Sequence, residues 1–479
     1  MDLSILFIVP TRFIRYNISI SMIVDFLNNI FWSYLLIILL IGAGIYFTLK
    51  NNFVQFRMMK EMVILLKDGT GETKHGISSF QAFCISTASR VGTGNLAGVA
   101  LAVAVGGPGA VFWMWLMALL GSASAFVEST IAQVYKEKNG ITFKGGPAYY
   151  IEKALHCKWL GLVFAILISI TYGLVFNSVQ ANTISLAFEN AFGIERSVIS
   201  IVLFVLTGLV IFGGIHRIAS ISEKIVPFMA VIYVVIVIGV LVLNIKELPS
   251  IIVLIVKSAF GPEQFTGGAL GAAVMQGIKR GLFSNEAGMG SAPNAAATAH
   301  VTHPVKQGLV QTLAVFTDTL IVCSATAFLI LVSGTYKTSI ANGIALTQEA
   351  LTSQIGSIGG PFVAICIFLF AFSSLVGNYY YGEANIQFLC PKNKTYLNLY
   401  RLACLFMIGY GSIVEFYFVW SLADLFMALM AVINIYAILR LGKIAKLCLD
   451  DYISQKKAGK DPVFKAKDIG ITENVDCWD

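Results

Sequence analysis

The sequence predicts an all-α integral membrane protein of about eleven transmembrane helices, arranged as two inverted five-helix halves behind one extra N-terminal helix. Three observations carry that prediction: composition, the spacing of the apolar runs, and glycine breaks in two of those runs. Of 479 residues, 57% are hydrophobic and 12% are charged, with a mean hydropathy of +0.79. Soluble chains carry about 25% charge. A bilayer accounts for so apolar a chain, because lipid replaces water around most of the surface. The net charge of +7 does not indicate nucleic acid. Lys and Arg fall in short loops between apolar runs, as membrane orientation requires.

Runs of about 20 apolar residues mark the spans. They lie at 31–49, 79–104, 108–135, 159–190, 197–214, 219–245, 267–299, 305–333, 360–388, 397–414 and 417–441. Residues 1–30 form an N-terminal segment whose true start is open, with Met22 as a second candidate. Span 31–49 is the extra helix, 79–245 and 267–441 are the halves, and 442–479 is a polar tail. Stretches 147–155, 249–260 and 340–355 are too short or too polar to span and read as surface helices. Basic residues such as Lys60, Lys67, Lys74, Arg217, Lys306, Lys392 and Lys443 occupy alternate loops. The positive-inside rule then places those loops and the C-terminus in the cytoplasm and the N-terminus outside. Arg12 and Arg15 oppose this. The tail reads as a flexible end.

The second span contains SRVGTGN at 89–95, and the seventh contains GLFSNEAGMG at 281–290. Glycine costs a helix about 1 kcal/mol relative to alanine, so both stretches unwind cheaply. Unwound backbone at membrane depth survives only when buried in protein or lining a cavity. A single cluster of this kind also suits close packing of helices through small residues. Two clusters, each opening a five-helix half that starts on the opposite side of the membrane, fit the binding site of a transporter. NLAG at 95–98 faintly echoes NEAG at 285–288.

At these residues the chain resembles the alanine or glycine:cation symporter family. The shared runs are GTGNLAGV at 92–99, GGPGAVFW at 106–113, GGPAYY at 145–150, KRGLFSNEAGMGSA at 279–292, FAFSS at 370–374 and YYGE at 380–383. The resemblance implies a LeuT-type fold and sodium-driven, sometimes proton-driven, import of small neutral amino acids such as alanine or glycine. It implies that main-chain N–H groups of Thr93, Gly94 and Asn95 meet the substrate carboxylate. Phe283, Ser284 and Asn285 would face its amino group and side chain, and Gln180 would add a polar wall with Asn177 and Asn182 nearby. Carbonyls of Ala88 and Val91 with hydroxyls of Ser373 and Ser374 would hold sodium, an oxygen-only set suited to a hard cation. The chain departs from the family in having Gly377-Asn378 where many members have Gly-Trp. Asn378 either admits a larger or more polar substrate, such as glutamine or serine, or merely faces another helix.

Charges inside spans are costly and are usually functional or paired. Arg90 and Arg280 flank the two breaks, and the expected partners are Glu286 and Glu128, as a gate or as props for the breaks. Proton coupling, through Glu286 or Asp318, stays open beside sodium coupling. The eight cysteines include no C-x-x-C, and the five histidines include no H-E-x-x-H, so no metal or redox motif is indicated. With no nucleophile–base set or phosphate loop, an enzyme is not expected. No obligate protein partner is evident. A channel would need a continuous polar pore, which two broken helices oppose.

Overall fold

The computed structural model describes residues 20–71, 76–260, 269–341, 343–391 and 393–478. Arg12, Arg15, Lys74 and Lys392, used above, lie outside the described residues. The helices are α1 Ile20–Lys50, α2 Met59–Asp68, α3 Ser79–Arg90, α4 Gly94–Gly106, α5 Gly109–Val134, α6 Pro147–Leu155, α7 Lys158–Phe192, α8 Arg196–Ile211, α9 Gly214–Leu243 and α10 Leu248–Phe260. They continue with α11 Ala269–Asn285, α12 Ala292–Ala296, α13 Pro304–Ser333, α14 Gly343–Ile355, α15 Gly359–Leu389, α16 Lys394–Ile413 and α17 Phe416–Lys457.

Among the described residues seven helices are long and apolar enough to cross a membrane. They become eight when α3 and α4, bent by 47°, count as one span. That is fewer than the expected eleven. Of the other expected spans, α8 has only 16 residues, α16 is interrupted by charge and polar groups, and the pair α11–α12 is broken. The three short helices expected apart from the spans appear as α6, α10 and α14, and α6 and α14 are largely buried. Local signals explain their boundaries. Pro147 opens α6, where a missing N–H costs nothing. Ser78 and Gln81 form a reciprocal capping box at the start of α3.

Helix α5 is central. It packs along both α11 and α13, and its run from Gly121 to Ala125 is small and buried, which lets neighbouring backbones approach closely. The lysine-rich loop after α5 forms a hairpin, Glu137–Asn139 against Thr142–Lys144, turned by Gly140 at φ 63°.

Two boundaries differ from expectation. Helix α1 already includes Ile20, the first described residue, well before residue 31. Helix α17 runs unbroken through residue 441 to Lys457, so the expected division between second half and tail falls inside one helix. Beyond it the tail does not trail off. The Phe464 N–H donates to the Thr302 carbonyl (2.9 Å), and the Trp478 indole donates to the Gln133 carbonyl (2.7 Å). Buried aromatics, Phe464 and Trp478, outweigh the polarity of the segment.

Candidate functional site

The first break follows from the end of α3. Val91 leaves helical geometry at ψ 87°, and the chain re-enters a wide π-helical turn at Gly94–Gly98. The Ser374 hydroxyl, on α15, donates to the Ala88 carbonyl at 2.7 Å and to the Val91 carbonyl at 3.4 Å. A hydroxyl and two carbonyls of an unwound helix end therefore converge. Ser373 does not join them. Its hydroxyl bonds the Phe370 carbonyl of its own helix (2.8 Å) and faces Met229, because consecutive helical residues point about 100° apart. There is no room for a side chain at Gly92: the Ser374 Oγ and Gln180 Oε1 occupy that space.

Two N–H groups of the first break already have side-chain acceptors. Gly92 N–H donates to Asn95 Oδ1 and Thr93 N–H to Gln180 Oε1, both at 3.0 Å. Of the expected polar wall only Gln180 reaches the break. Asn182 donates to the Gly411 and Val414 carbonyls, and Asn177 to Gly173 on its own helix.

The second break spans Glu286 to Ser291. Glu286 (φ 56°), Gly288 (φ 84°) and Gly290 (φ 84°) all take left-handed conformations, which only glycine adopts without strain. Fully buried Glu128 holds the turn, accepting the N–H groups of Gly288 (3.2 Å) and Gly290 (3.1 Å) and the Asn434 amide (2.6 Å). Glu286 accepts hydroxyls from Ser89 (2.9 Å) and Ser291 (2.7 Å). The expected pairing of Arg90 and Arg280 with these two glutamates is thus corrected. Arg280 instead meets Asp424 on α17 at 2.6 Å, with Lys279 at 3.3 Å. Arg90 donates to Gln311 at 3.3 Å. The direct contacts of the two carboxyl groups are with amides and hydroxyls, and Arg90 makes no salt bridge with either of them.

The two breaks touch. A β-carbon at Gly94 would lie 3.0 Å from Ser284 Cα. Asp318, fully buried on α13, joins them: Asn95 donates to one carboxylate oxygen and Ser284 to the other, each at 2.7 Å. Asn285 caps the end of α11, accepting from the Ala287 N–H (3.0 Å) and donating to Thr319 (3.3 Å). Phe283 lies between Phe176 and Trp420, with tilted rings and both centroids at 4.8 Å. Arg280 lies over the same Trp420 ring at 4.8 Å. Asn378 does face another helix, its side-chain oxygen sharing the single Ser89 hydroxyl proton with Glu286 (2.6 Å). Its amide nitrogen, the Thr93 hydroxyl and the Trp420 indole N–H are buried without protein partners.

Trp420, Asp424, Asn434 and Ser89 belong to this cluster and were not among the expected site residues, and Asp318 was expected only as a proton carrier. Asp318 and Asp424 carried a signal, a charge inside an apolar run, and Ser89 opens the first glycine-break motif. Trp420 and Asn434 carried none. The resulting heart gathers three carboxyl groups around one guanidinium: Glu128, Glu286 and Asp318 are at most 1% exposed, as is Arg90.

The family described as the sodium:alanine symporter family matches residues 17–466. The chain is 55% identical to the probable sodium/glutamine symporter GlnT of Bacillus subtilis, covering 95% of each chain. It is 53% identical to the amino-acid carrier protein AlsT of the same organism, over 97% of this chain and 98% of that one. It is 36% identical to the sodium/alanine symporter AgcS of Methanococcus maripaludis, over 88% and 95%.

Proposed function

The chain belongs to the sodium:alanine symporter family, a family of membrane transporters, and from that we propose that it imports neutral amino acids with sodium across the cytoplasmic membrane by alternating access. The C-terminus lies in the cytoplasm and the N-terminus outside, and the two halves form a LeuT-type inverted repeat. The observation that carries this reading is the close approach of Gly94, just past the first break, to Ser284, just before the second, inside a buried shell with an excess of carboxyl groups. Such a place attracts a cation and supplies backbone groups to a zwitterion.

Sodium sits at the Ala88 and Val91 carbonyls with the Ser374 hydroxyl, where the helix end already offers oxygen. The substrate carboxylate takes the Thr93 N–H from Gln180, and the neighbouring N–H groups of Gly94 and Asn95 complete its seat. Phe283, backed by Trp420, forms the apolar wall, while Ser284 and Asn285 border the second break. The pair Arg280–Asp424 joins α11 to α17 and closes the end away from the tail. The inside-negative potential adds about 2.3 kcal/mol per charge per 100 mV to accumulation.

One observation favours a polar side chain on the substrate. Asn378 presents a buried N–H2 without a protein partner beside Ser89, and a carboxamide or hydroxyl oxygen satisfies it. The likeness to a probable sodium/glutamine symporter points the same way. Glutamine then accompanies alanine as a substrate. Uptake of both amino acids in proteoliposomes, under a sodium gradient and then a proton gradient, tests the proposal. Sodium-independent uptake overturns sodium coupling. Failure of every polar amino acid to compete with alanine overturns the polar-substrate reading.

A further inference from the structure

Residues 461–478 cross the end of the molecule where the two broken helices leave the bundle. There Ile77, just before α3, forms a bridge with Ala299, just after α12, and the His300 N–H donates to the Ile77 carbonyl at 3.0 Å. Those two strands of chain must part before the site opens at this end. The tail is fastened immediately beside them. The Thr302 hydroxyl donates to the Pro462 carbonyl (2.9 Å), Phe464 N–H returns a bond to Thr302 (2.9 Å), and Lys306 pairs with Asp461 (2.7 Å).

The far part of the tail grips other elements. Trp478 donates to Gln133 at the end of α5, and its ring covers the Lys136 ammonium at 4.8 Å. That ammonium donates to the Ala299 carbonyl at 2.9 Å. Asn474 donates to the Lys153 carbonyl (3.0 Å) and Asp476 pairs with Lys153 (2.5 Å), both on α6. Phe464 is 3% exposed and Trp478 8%, so the seat is packed and dry. The family match ends at residue 466, short of Asn474, Asp476 and Trp478.

We propose that residues 461–478 form a latch that holds the tail end of the site closed by tying the α12–α13 connection to α5 and α6. The inference rests on the transporter reading, since a latch needs a site that opens. Release of the latch lets the Ile77–Ala299 contact part. While docked, the segment slows each turnover without touching the substrate.

The test uses the full chain in proteoliposomes. Trp478→Ala, and separately Lys153→Gln, raise the maximal uptake rate about five-fold, with the half-saturating amino-acid concentration unchanged. A synthetic peptide of residues 458–479, added on the tail side, returns the Trp478→Ala rate toward that of the parent. A Thr302→Cys/Pro462→Cys pair, oxidised, arrests uptake, and reductant restores it. An oxidised protein that transports at the parent rate overturns the latch. So does a Trp478→Ala protein with parent rate and parent Tm. Labelling of Ile77→Cys by an impermeant thiol reagent from the tail side reads opening without any transport. Faster labelling in Trp478→Ala therefore separates the latch from the choice of substrate and ion.

Discussion

Gly94 and Ser284 stand in backbone contact, 3.0 Å from the position of an added Cβ at Gly94 to the Ser284 Cα. The neighbour is main chain, so it yields only by moving a whole break. Gly94→Ala is expected to lower uptake at least about ten-fold, a cost of roughly 1.4 kcal/mol. Gly98→Ala is the control: its added carbon meets Trp420 at an ordinary 3.6 Å and leaves uptake near the parent value. Equal effects of the two substitutions would remove the contact from the mechanism.

The cation seat separates two adjacent serines. Ser374→Ala removes a hydroxyl 2.7 Å from the Ala88 carbonyl, and Gly92→Ala drives that hydroxyl out of place. Both should raise the half-saturating sodium concentration about ten-fold, in line with the loss of one polar contact. Ser373→Ala, whose hydroxyl bonds its own helix, should leave it unchanged. Sodium titration of uptake decides between them.

Glu128 braces the second break through two main-chain N–H groups. In Glu128→Gln only one side-chain oxygen remains, so a buried N–H loses its partner at a cost of about 1–3 kcal/mol. A lower Tm together with lost uptake is expected, measured on purified protein. Retention of the parent Tm would show that the break stands without it.

Arg280 and Asp424 form a buried ion pair. Removing one partner leaves a stranded charge, worth about 3–5 kcal/mol. Asp424→Asn should therefore destabilise strongly, and the double variant Arg280→Met/Asp424→Asn should recover part of the loss. A double-mutant cycle on Tm measures the coupling. The exchange Arg90→Glu/Glu286→Arg should not rescue uptake, since Glu286 is held directly by Ser89 and Ser291 and not by Arg90.

Docking of the tail should depend on pH. Burial pushes the Lys136 ammonium down to about 7 from 10.5, with Cys477 and the Ala299 carbonyl facing it. Burial also lowers His303 below its usual 6.5, against the opposing pull of Asp451 and Asp461 and with Lys306 alongside. Where docking adds to that burial the undocked state holds more protons, and docking strengthens as pH rises. For Lys136 that stabilisation is lost as pH falls from about 10.5 to about 7, and for His303 as pH falls below 6.5. Amide exchange at Phe464 and Ala466, corrected for intrinsic rates, should be faster at pH 6 than at pH 8. Lys136→Met should abolish the part of the slope above pH 7.

Much of this was legible along the chain. Apolar runs marked most helices, since burial in lipid is a property of each run by itself. Pro147 and the glycines at 92–94 and 281–290 announced a helix start and two interruptions, because backbone preference is local. The meeting of Ala88, Val91 and Ser374 followed from the family resemblance rather than from spacing. Partner choice was not legible. Arg280 pairs with Asp424 across 144 positions, and Glu128 with Asn434 across 306. No periodicity encodes such distances. A polar tail was expected to be loose, yet two aromatic residues and a seat made by four other segments hold it down. Sequence alone dictates where the helices lie and where they break, because each residue's preference for lipid, water or an open backbone angle acts locally. Only the folded chain decides which buried charge meets which amide, and whether the tail docks, because those energies depend on groups brought together from opposite ends of the molecule.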